Sequence, residues 1–383
     1  MDSNLLAPLS SSSGPKLRQR QDAQTMQQAV LDRANRTGEE PPPYEFLELI
    51  GKGTYGRVYK SLANTNEGIV AIKIIEVDEP DYEATFEARN DTIENFTKEI
   101  NALQRLKDSN AKNVTMIYDA FTFHSQLWLV SEYCQGGSVN TLMKACPDKK
   151  LEESFIIPIA RELAIALKYI HEADIVHRDI KCANILIMED GNLRLADFGV
   201  AGIFESNVSK RKTIIGTPHW MPLELVEELG NESPDISYGT EVDIWAFGCA
   251  VYEMAAGHAP NARVKLPNLA NALRQTAPRL DDQKGPYSDK LREFVEFCLQ
   301  LDPQARPTAR GILESPFVAG SAKRYPTESL QQLVERFYAW ETRGGERQSL
   351  FWDMGAKLPT NLEDDDEEQE DWYFSTTLEF EQQ

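Results

Sequence analysis

The chain has 383 residues, with 40 Lys and Arg against 61 Asp and Glu, and a net charge of −21 at pH 7. This acidic balance argues against non-specific binding to nucleic-acid phosphates. No apolar run approaches the ~18–20 residues of a transmembrane helix, and the amino terminus lacks the pattern of a secretory signal. Five scattered cysteines without a CxxC pair indicate free thiols in a reducing compartment, so we expect a cytoplasmic protein.

The residue pattern divides the chain into four segments. Residues 1–43 are rich in Ser, Gln and Arg and predict a flexible leader, because they bury too little to offset the entropy of ordering. Residues 44–133 predict five strands and one helix, and residues 134–317 predict mostly helices. Residues 318–383 predict an extension with one helix and an acidic tail. The expected fold is therefore α+β, with a small strand-rich lobe and a large helical lobe.

A glycine-rich segment lies early in the small lobe. Glycines at this spacing let a hairpin backbone approach phosphates closely, and predicted strands on both sides favour a phosphate-covering hairpin over the strand-to-helix turn of a dinucleotide fold. An ordinary glycine-rich turn is the alternative, because the motif alone is weak. The residues assigned to this hairpin are Gly51, Lys52, Gly53, Gly56 and Val58.

Lys73 follows on the next predicted strand, on the same face as Ala71. Most lysines in strands are simply solvated. This one follows the glycine hairpin at a distance that would bring its ammonium group beneath the hairpin, where it would hold the α- and β-phosphates of ATP. We expect Glu99 on the following predicted helix to pair with Lys73, and Glu94 is the alternative partner.

The segment His177-Arg178-Asp179-Ile180-Lys181-Cys182-Ala183-Asn184 carries the strongest chemical signal. Asp179 would accept the proton of an attacking hydroxyl and orient it, and Lys181 would neutralise the γ-phosphate. His177 has the chemistry of a general base, but we interpret it as a packing and hydrogen-bonding residue.

Two residues of this region are candidate metal ligands. Asn184 ends the segment, and Asp197 follows 13 residues later in Asp197-Phe198-Gly199. The intervening residues predict a short hairpin with Asp190-Gly191 at its turn. That hairpin would carry Asp197 back beside Asn184, giving two oxygen ligands for one Mg²⁺.

Residues 44–317 resemble a eukaryotic protein kinase domain over its full length, and Lys181 is typical of serine/threonine kinases. The stretches DFGVAG, KRKTIIGTPHWM and EYCQGGSV are similar to the germinal-centre branch of the sterile-twenty-like kinases. FIIPIAREL, KCANIL and YGTEVDIWAFGCA most resemble its fungal members. The resemblance implies a protein serine/threonine kinase (EC 2.7.11.1 type) that uses ATP and Mg²⁺ in a signalling cascade, with another kinase as a candidate substrate.

The resemblance also implies roles in the activation segment, which runs from Asp197 to Glu224. Thr217 would bridge Asp179 and Lys181, and Arg178 would receive an activation-loop phosphate. Thr213 is the candidate phosphosite, because it follows three basic residues within the loop. In similar kinases a β-branched residue directly after the Asp-Phe-Gly motif accompanies threonine acceptors, and this chain has Val200 there.

Three further residues are implied as structural anchors. Asp243 would hold the backbone of the catalytic loop, residues 177–184. Glu224 would form a buried ion pair with Arg306. The family shows Ala-Pro-Glu or Pro-Pro-Glu where this chain has Pro222-Leu223-Glu224.

The resemblance assigns the adenine site as well. Backbone groups of Glu132 and Cys134 would bind adenine, and Ser131 would stand at the gatekeeper position, where relatives usually carry methionine. The smaller serine predicts a cavity behind the adenine, unless a neighbour such as Met116 or Leu106 fills it. The residues assigned to this site are Ser131, Glu132, Cys134 and Leu186.

The carboxy-terminal extension carries two signals. Apolar residues follow helical spacing at Leu330, Leu333, Val334, Phe337 and Trp340. They predict a helix docked on the large lobe, with a partner-binding helix as the alternative. Trp372 and Phe374 follow an acidic run and resemble the WxF motif with which relatives bind a helical-repeat scaffold, and a merely solvated tail is the alternative.

Two other functions compete with an active protein kinase. A pseudokinase scaffold would be favoured by loss of Lys73, Asp179, Asn184 or Asp197, and all four are present. A small-molecule phosphotransferase on a similar fold is opposed by Thr217 and the long activation segment, which serve protein substrates.

Overall fold

The structure is a computed structural model. It describes residues 15–53, 56–65, 68–76, 97, 100–198, 202–203, 217–229, 238–280 and 287–345. The chain divides into two compact units, which supports the predicted two-part α+β fold. Within the described residues, no helix has both the length and the apolar character needed to span a membrane.

The described part of the first unit is a five-stranded antiparallel sheet with one helix. Its strand order is β1-β2-β3-β5-β4, so β1 and β4 form the edges. The elements are α1 (Pro15–Thr37), β1 (Tyr44–Gly53), β2 (Gly56–Ala63), β3 (Gly68–Glu76), β4 (Ile117–Phe123) and β5 (Gln126–Glu132). These strands lie where the apolar runs between glycine and asparagine turns predict them.

The central strands are apolar on both faces. Along β3, Val70, Ile72 and Ile74 point to one face and are almost fully buried, in a cluster that also holds Trp128 of β5. Ala71 and Lys73 alternate with them and point to the other face. A sheet with two apolar faces needs a cover on each side.

The helix α1 corrects the prediction of a flexible leader over residues 1–43. Residues 15–37 are helical, and Ala23, Met26, Val30 and Ala34 are buried in the cluster on the Ile72 face of the sheet. Their spacing of three or four residues forms a narrow apolar stripe on an otherwise polar helix. Because half of the stripe is alanine, the composition of the segment conceals it.

The second unit is mainly helical. A helix, α2, includes residues 100–108, and α6 forms the centre, with every residue from Val242 to Ala256 buried. The other elements are β6 (Gly137–Ser138), α3 (Val139–Met143), α4 (Glu153–Glu172), β7 (Ile175–Val176), β8 (Ile185–Ile187), β9 (Leu193–Leu195), β10 (Gly202–Ile203), α5 (Leu223–Val226), α6 (Glu241–Ala256), α7 (Leu266–Gln275), α8 (Asp289–Cys298), α9 (Ala309–Glu314) and α10 (Gln331–Thr342).

Residues 90–117 group with the second unit and not with the strand-rich lobe of residues 44–133. The physical reason is a set of hydrogen bonds made by α2 and by the residues that follow it. Arg105 donates to the Ala173 carbonyl at 2.7 Å, and the Thr115 amide donates to the Leu195 carbonyl at 3.0 Å. These contacts fasten the segment to the end of α4 and to β9.

The second unit also extends past the predicted boundary at residue 317. Leu330, Leu333, Val334 and Phe337 are at most 2% exposed, so α10 is docked on this unit. Arg161 of α4 ties down the segment before α10 through bonds to Ser321, Tyr325 and Thr327 at 2.8–3.0 Å. Trp372 and Phe374 lie outside the described residues.

Candidate active site

The first unit carries the predicted phosphate-covering hairpin. β1 and β2 pair from Tyr44 opposite Ala63 to Gly53 opposite Gly56, and residues 54–55 lie outside the described part. Gly56 has φ +135°, which side chains rarely adopt, and an added Cβ would collide with the Ile74 carbonyl of β3. A side chain at position 56 would therefore clash with the backbone of β3, which explains the third glycine of the motif.

Residues assigned to ATP lie together on one face of this sheet. Val58 is directly opposite Lys73, and Ala71 is directly opposite Ser131. Paired residues point to the same face, as do residues two apart, so the four share the face opposite α1. Glu99 and Glu94 lie outside the described residues, and the pairing with Lys73 stays a prediction.

The predicted hinge follows β5. Ser131 Oγ lies 3.4 Å from the Ala71 carbonyl oxygen, and Glu132 is 9% exposed. In the second unit, the carbonyl of Cys134 accepts a hydrogen bond from the Gly137 amide at 3.2 Å, which turns the chain towards β6. Leu186 of β8 is half-buried, whereas its neighbours Ile185 and Ile187 are fully buried.

Asp179 lies at the centre of a hydrogen-bonded group in the second unit. Thr217 Oγ1 donates to Asp179 Oδ1 at 2.6 Å, and Lys181 Nζ lies 2.8 Å from Asp179 Oδ2. Lys181 Nζ also donates to Thr217 Oγ1 at 2.8 Å. The bridging position that the resemblance implies for Thr217 is thus present, and the carboxylate is held in one orientation.

Asn184 supports the same carboxylate. Its Nδ2 donates to the Asp179 carbonyl at 2.8 Å and to Asp179 Oδ2 at 2.9 Å. Both bonds use the amide nitrogen, which directs the amide oxygen away from Asp179. A side-chain oxygen oriented in this way suits a hard cation.

The predicted hairpin between the candidate metal ligands is confirmed. β8 and β9 pair from Ile185 opposite Leu195 to Ile187 opposite Leu193. The Ala196 amide donates to the Asn184 carbonyl at 3.0 Å, so the next residue, Asp197, returns beside Asn184. Asp197 has φ +67°, a left-handed conformation that is strained for a residue with a side chain.

Asp243 anchors the catalytic loop from α6. It is fully buried, and its two oxygens accept from the main-chain amides of His177 and Arg178 at 2.9 and 2.8 Å. His171 Nε2 donates to it at 2.9 Å. Burial alone would raise the pKa of Asp243, but the bond from His171 and the nearby charges hold it below its usual value.

His177 is a structural residue, as the sequence indicates. Its Nε2 donates to the Ala196 carbonyl at 3.1 Å, and its Nδ1 accepts from the Asp179 amide at 3.3 Å. The ring packs edge-on against Phe198 with centroids 4.7 Å apart. Burial lowers the pKa of His177, and both ring nitrogens are engaged in hydrogen bonds.

Arg178 occupies a strained and polar position. Its φ is +71°, and its guanidinium lies 5.6 Å from the centre of the Tyr238 ring. Among the described residues, its Nε has no hydrogen-bond partner, and burial lowers its pKa. Thr213, its predicted phosphorylated partner, lies outside the described residues.

The ion pair between Glu224 and Arg306 is present despite the unusual Pro-Leu-Glu sequence. Arg306 binds both Glu224 oxygens, at 2.6 and 2.9 Å, and its side chain is fully buried. Its guanidinium also stacks over Trp245 at 5.1 Å. Pro222 is the residue before the first turn of α5, so the leucine substitutes within a helix and leaves Glu224 in place.

Sequence reasoning missed Glu253 on α6. Its Oε2 accepts from the Cys182 amide at 3.3 Å and from the Trp220 indole at 3.1 Å. Burial raises its pKa. Glu253 therefore links the catalytic loop to the residues that follow Thr217. The sequence signal for a buried polar role was a single acidic residue within the apolar run CAVYEMAA.

Comparison with known proteins agrees with this arrangement. A family model described as protein kinase domain matches residues 44–318. The serine/threonine-protein kinase KIC1 of Saccharomyces cerevisiae is 35% identical over 318 residues, which are 83% of this chain and 27% of that protein. The serine/threonine-protein kinase dst1 of Dictyostelium discoideum is 36% identical over 293 residues, 76% of this chain and 36% of that protein.

A fission-yeast relative is closer to this chain in length. The serine/threonine-protein kinase ppk11 of Schizosaccharomyces pombe is 34% identical over 304 residues, which are 79% of this chain and 89% of that protein. The family match begins at the first residue of β1 and ends four residues after α9. The chain therefore belongs to the protein kinase family, within the serine/threonine kinases, and the resemblance drawn from its motifs is confirmed.

Proposed function

We propose that this protein transfers the γ-phosphate of ATP to serine or threonine hydroxyls of protein substrates. The observation that carries the proposal is the Asp179 carboxylate, held at 2.6–2.9 Å by Thr217, Lys181 and Asn184. A carboxylate fixed in this way is suited to accept the hydrogen bond of a substrate hydroxyl and to aim it at phosphorus.

The residues assigned to ATP and Mg²⁺ have separate roles. In the first unit, the glycine hairpin would cover the phosphates and Lys73 would hold two of them. In the second, Lys181 would neutralise the transferred group. Asn184 and Asp197 would hold Mg²⁺, which when bound neutralises phosphate charge. The fit is supported by the orientation of the Asn184 amide and by the return of β9 to Asn184.

A protein substrate is favoured by the end of the activation segment. Thr217 is hydrogen-bonded to Lys181 and Trp220 to Glu253, so residues 217–220 form a fixed surface beside Asp179. An extended peptide needs such a surface, whereas a small substrate does not. We propose another kinase of a signalling cascade as a candidate substrate, as the family resemblance implies.

Single-turnover transfer of ³²P from labelled ATP to a generic basic protein tests the proposal. Wild-type protein should label the substrate, and Asp179→Asn should not, although it should still bind a fluorescent ATP analogue. Equal labelling by both proteins would contradict the role of Asp179. Nucleotide binding without transfer by wild-type protein would instead favour a pseudokinase scaffold.

Threonine is the proposed preferred acceptor, on the basis of Val200 after the Asp-Phe-Gly motif. A stiff β-branched side chain would pack against the methyl group of the acceptor. Paired peptides that differ only in Ser or Thr test this preference. A higher kcat/KM for the serine peptide would contradict it.

We propose that the tail recruits a helical-repeat scaffold in the cytoplasm through Trp372 and Phe374. Burying these two aromatics would contribute on the order of 1.5–3 kcal/mol each before ordering costs. Affinity purification of the wild type and of the double variant Trp372→Ala, Phe374→Ala should show loss of one partner. An unchanged set of partners would favour a solvated tail.

A further inference from the structure

The strand that leads into the glycine hairpin is weakly held by the sheet itself. β1 lies at one edge, so β2 is its one neighbouring strand in the sheet. The pairing with β2 is interrupted twice, between Phe46 and Glu48 and between Leu49 and Gly51. Bulges bend a strand and disrupt its ladder, and both lie between the start of β1 and the hairpin.

The helix α1 provides contacts to β1 where the pairing with β2 is interrupted. Gln27 Oε1 accepts a hydrogen bond from the Phe46 amide at 2.9 Å, directly before the first bulge. Phe46 and Leu49 are at most 5% exposed, in the same cluster as Met26 and Val30 of α1. A helix that caps an edge amide and buries the neighbouring side chains protects the edge and fixes its course.

The far end of α1 is also tied to the sheet. Thr37 Oγ1 lies 3.5 Å from His124 Nε2 in the turn between β4 and β5, and Glu39 lies 3.5 Å from the same nitrogen. Gln126 Nε2 of β5 lies 3.9 Å from Met26 Sδ. The helix α1 therefore lies across the sheet from β1 at one edge to the strands at the other edge, and Gln27 makes a hydrogen bond to β1.

We propose that Gln27 is a positioning residue for ATP binding. By accepting the hydrogen bond of the Phe46 amide, Gln27 fixes the path of β1. The path of β1 in turn fixes the position, relative to the sheet, of the glycine hairpin that begins at Gly51. This inference rests on the proposed function, because it assigns the hairpin to ATP. On this proposal, α1 contributes to ATP binding through Gln27.

The test compares two adjacent glutamines on the full-length protein. Gln27→Met keeps the length and helix propensity of the side chain but removes its acceptor. Gln28→Met is the matched control, because Gln28 bonds with Asp32 within α1. Gln27→Glu retains an acceptor oxygen and is the rescue variant.

Two readouts are measured. Hydrogen exchange at the Phe46 amide should be about tenfold faster in Gln27→Met, as expected for loss of one hydrogen bond. The KM for ATP should rise about three- to tenfold, while kcat stays within about twofold. Gln28→Met should match wild type in both readouts, and Gln27→Glu should recover most of each effect.

The outcomes separate this inference from the proposed function. If Gln27→Met and Gln28→Met show equal exchange at Phe46 and equal KM, the positioning role is wrong. If wild-type protein transfers no phosphate, the dissociation constant of an ATP analogue replaces KM. A shift in that constant with Gln27→Met alone would then support the inference while the proposed function fails, and the absence of a shift would overturn it.

Discussion

The Thr217 hydroxyl donates a 2.6 Å hydrogen bond to the Asp179 carboxylate and accepts one from Lys181 at 2.8 Å. The hydroxyl thereby joins the activation segment to the catalytic loop. Thr217→Val keeps the shape but leaves both charged groups without this partner. We expect kcat/KM to fall about 10²–10³-fold, the range for loss of one preorganised hydrogen-bonding group.

Thr217→Ser is the control for this change, because serine retains the hydroxyl. Its kcat/KM should stay within about tenfold of wild type, because both hydrogen bonds can still form and only a methyl group, worth about 0.8 kcal/mol, is removed. Steady-state kinetics with a protein substrate measure both variants. Equal losses in the Val and Ser variants would show that the methyl group contributes as much as the hydroxyl, which would contradict the special role given to the hydroxyl.

Asp179→Ala and Lys73→Arg should each remove most activity and leave the fold intact. Catalysis of phosphoryl transfer is positioning and charge stabilisation, so each residue supplies one part of it. We expect kcat to fall about 10²–10⁴-fold with unchanged circular dichroism. Turnover near that of wild type in either variant would falsify the mechanism.

Much of the second unit was predictable because its motifs specify local geometry. The spacing from Asn184 to Asp197 with Asp190-Gly191 between them predicts the β8–β9 hairpin, which the register confirms. Glu253 escaped prediction because its partners, Cys182 and Trp220, are 71 and 33 residues away along the chain. Nothing in a local pattern reports such a contact.

The leader was misread for a related reason. Its stripe of Ala23, Met26, Val30 and Ala34 is too narrow and too small to predict a buried helix by itself. The other evidence for a buried helix lies in the strands that it covers. GIVAIKIIEV and QLWLVSE are apolar at successive positions and not only at alternate ones. Strands buried on both faces require a cover for each face, and that requirement points to the segment before β1.

Phosphorylation of Thr213 should activate the enzyme. A phosphate there adds about −1.5 to −2 charges, and Arg178 has a buried Nε without a partner among the described residues. Thr213→Ala should lower kcat several-fold or more, and mass spectrometry of active protein should find the phosphate. Full activity of Thr213→Ala, with no phosphate on the loop, would exclude this site.

Ser131 should confer sensitivity to bulky ATP-site inhibitors. It lies opposite Ala71 on the face of the sheet assigned to ATP. Ser131→Met should raise the inhibition constant of an inhibitor with a large aryl group at least about tenfold, a difference of 1.4 kcal/mol, with little change in KM for ATP. The same constant for both proteins would mean that the cavity is filled.

The helix α10 should be essential to the stability of the second unit. Phe337 is fully buried on this helix, and Val334 lies close to Gly136, where an added Cβ would come within 2.9 Å of Val334 Cγ2. Gln331 also donates to the Asp190 carbonyl at 3.1 Å, so α10 supports the turn of the hairpin that carries Asn184. Phe337→Ala should cost about 3–5 kcal/mol, the range for removal of a buried phenylalanine.

Gln332→Ala is the matched control, because Gln332 is exposed on the same helix. Differential scanning fluorimetry should show a Tm loss of several degrees or more for Phe337→Ala, at about 2–4 °C per kcal/mol in a unit of this size, and almost none for Gln332→Ala. A chain ending at residue 345 retains α10 and should fold, whereas one ending at residue 317 should be unfolded or insoluble. A folded, active protein ending at residue 317 would show that the kinase domain does not depend on α10.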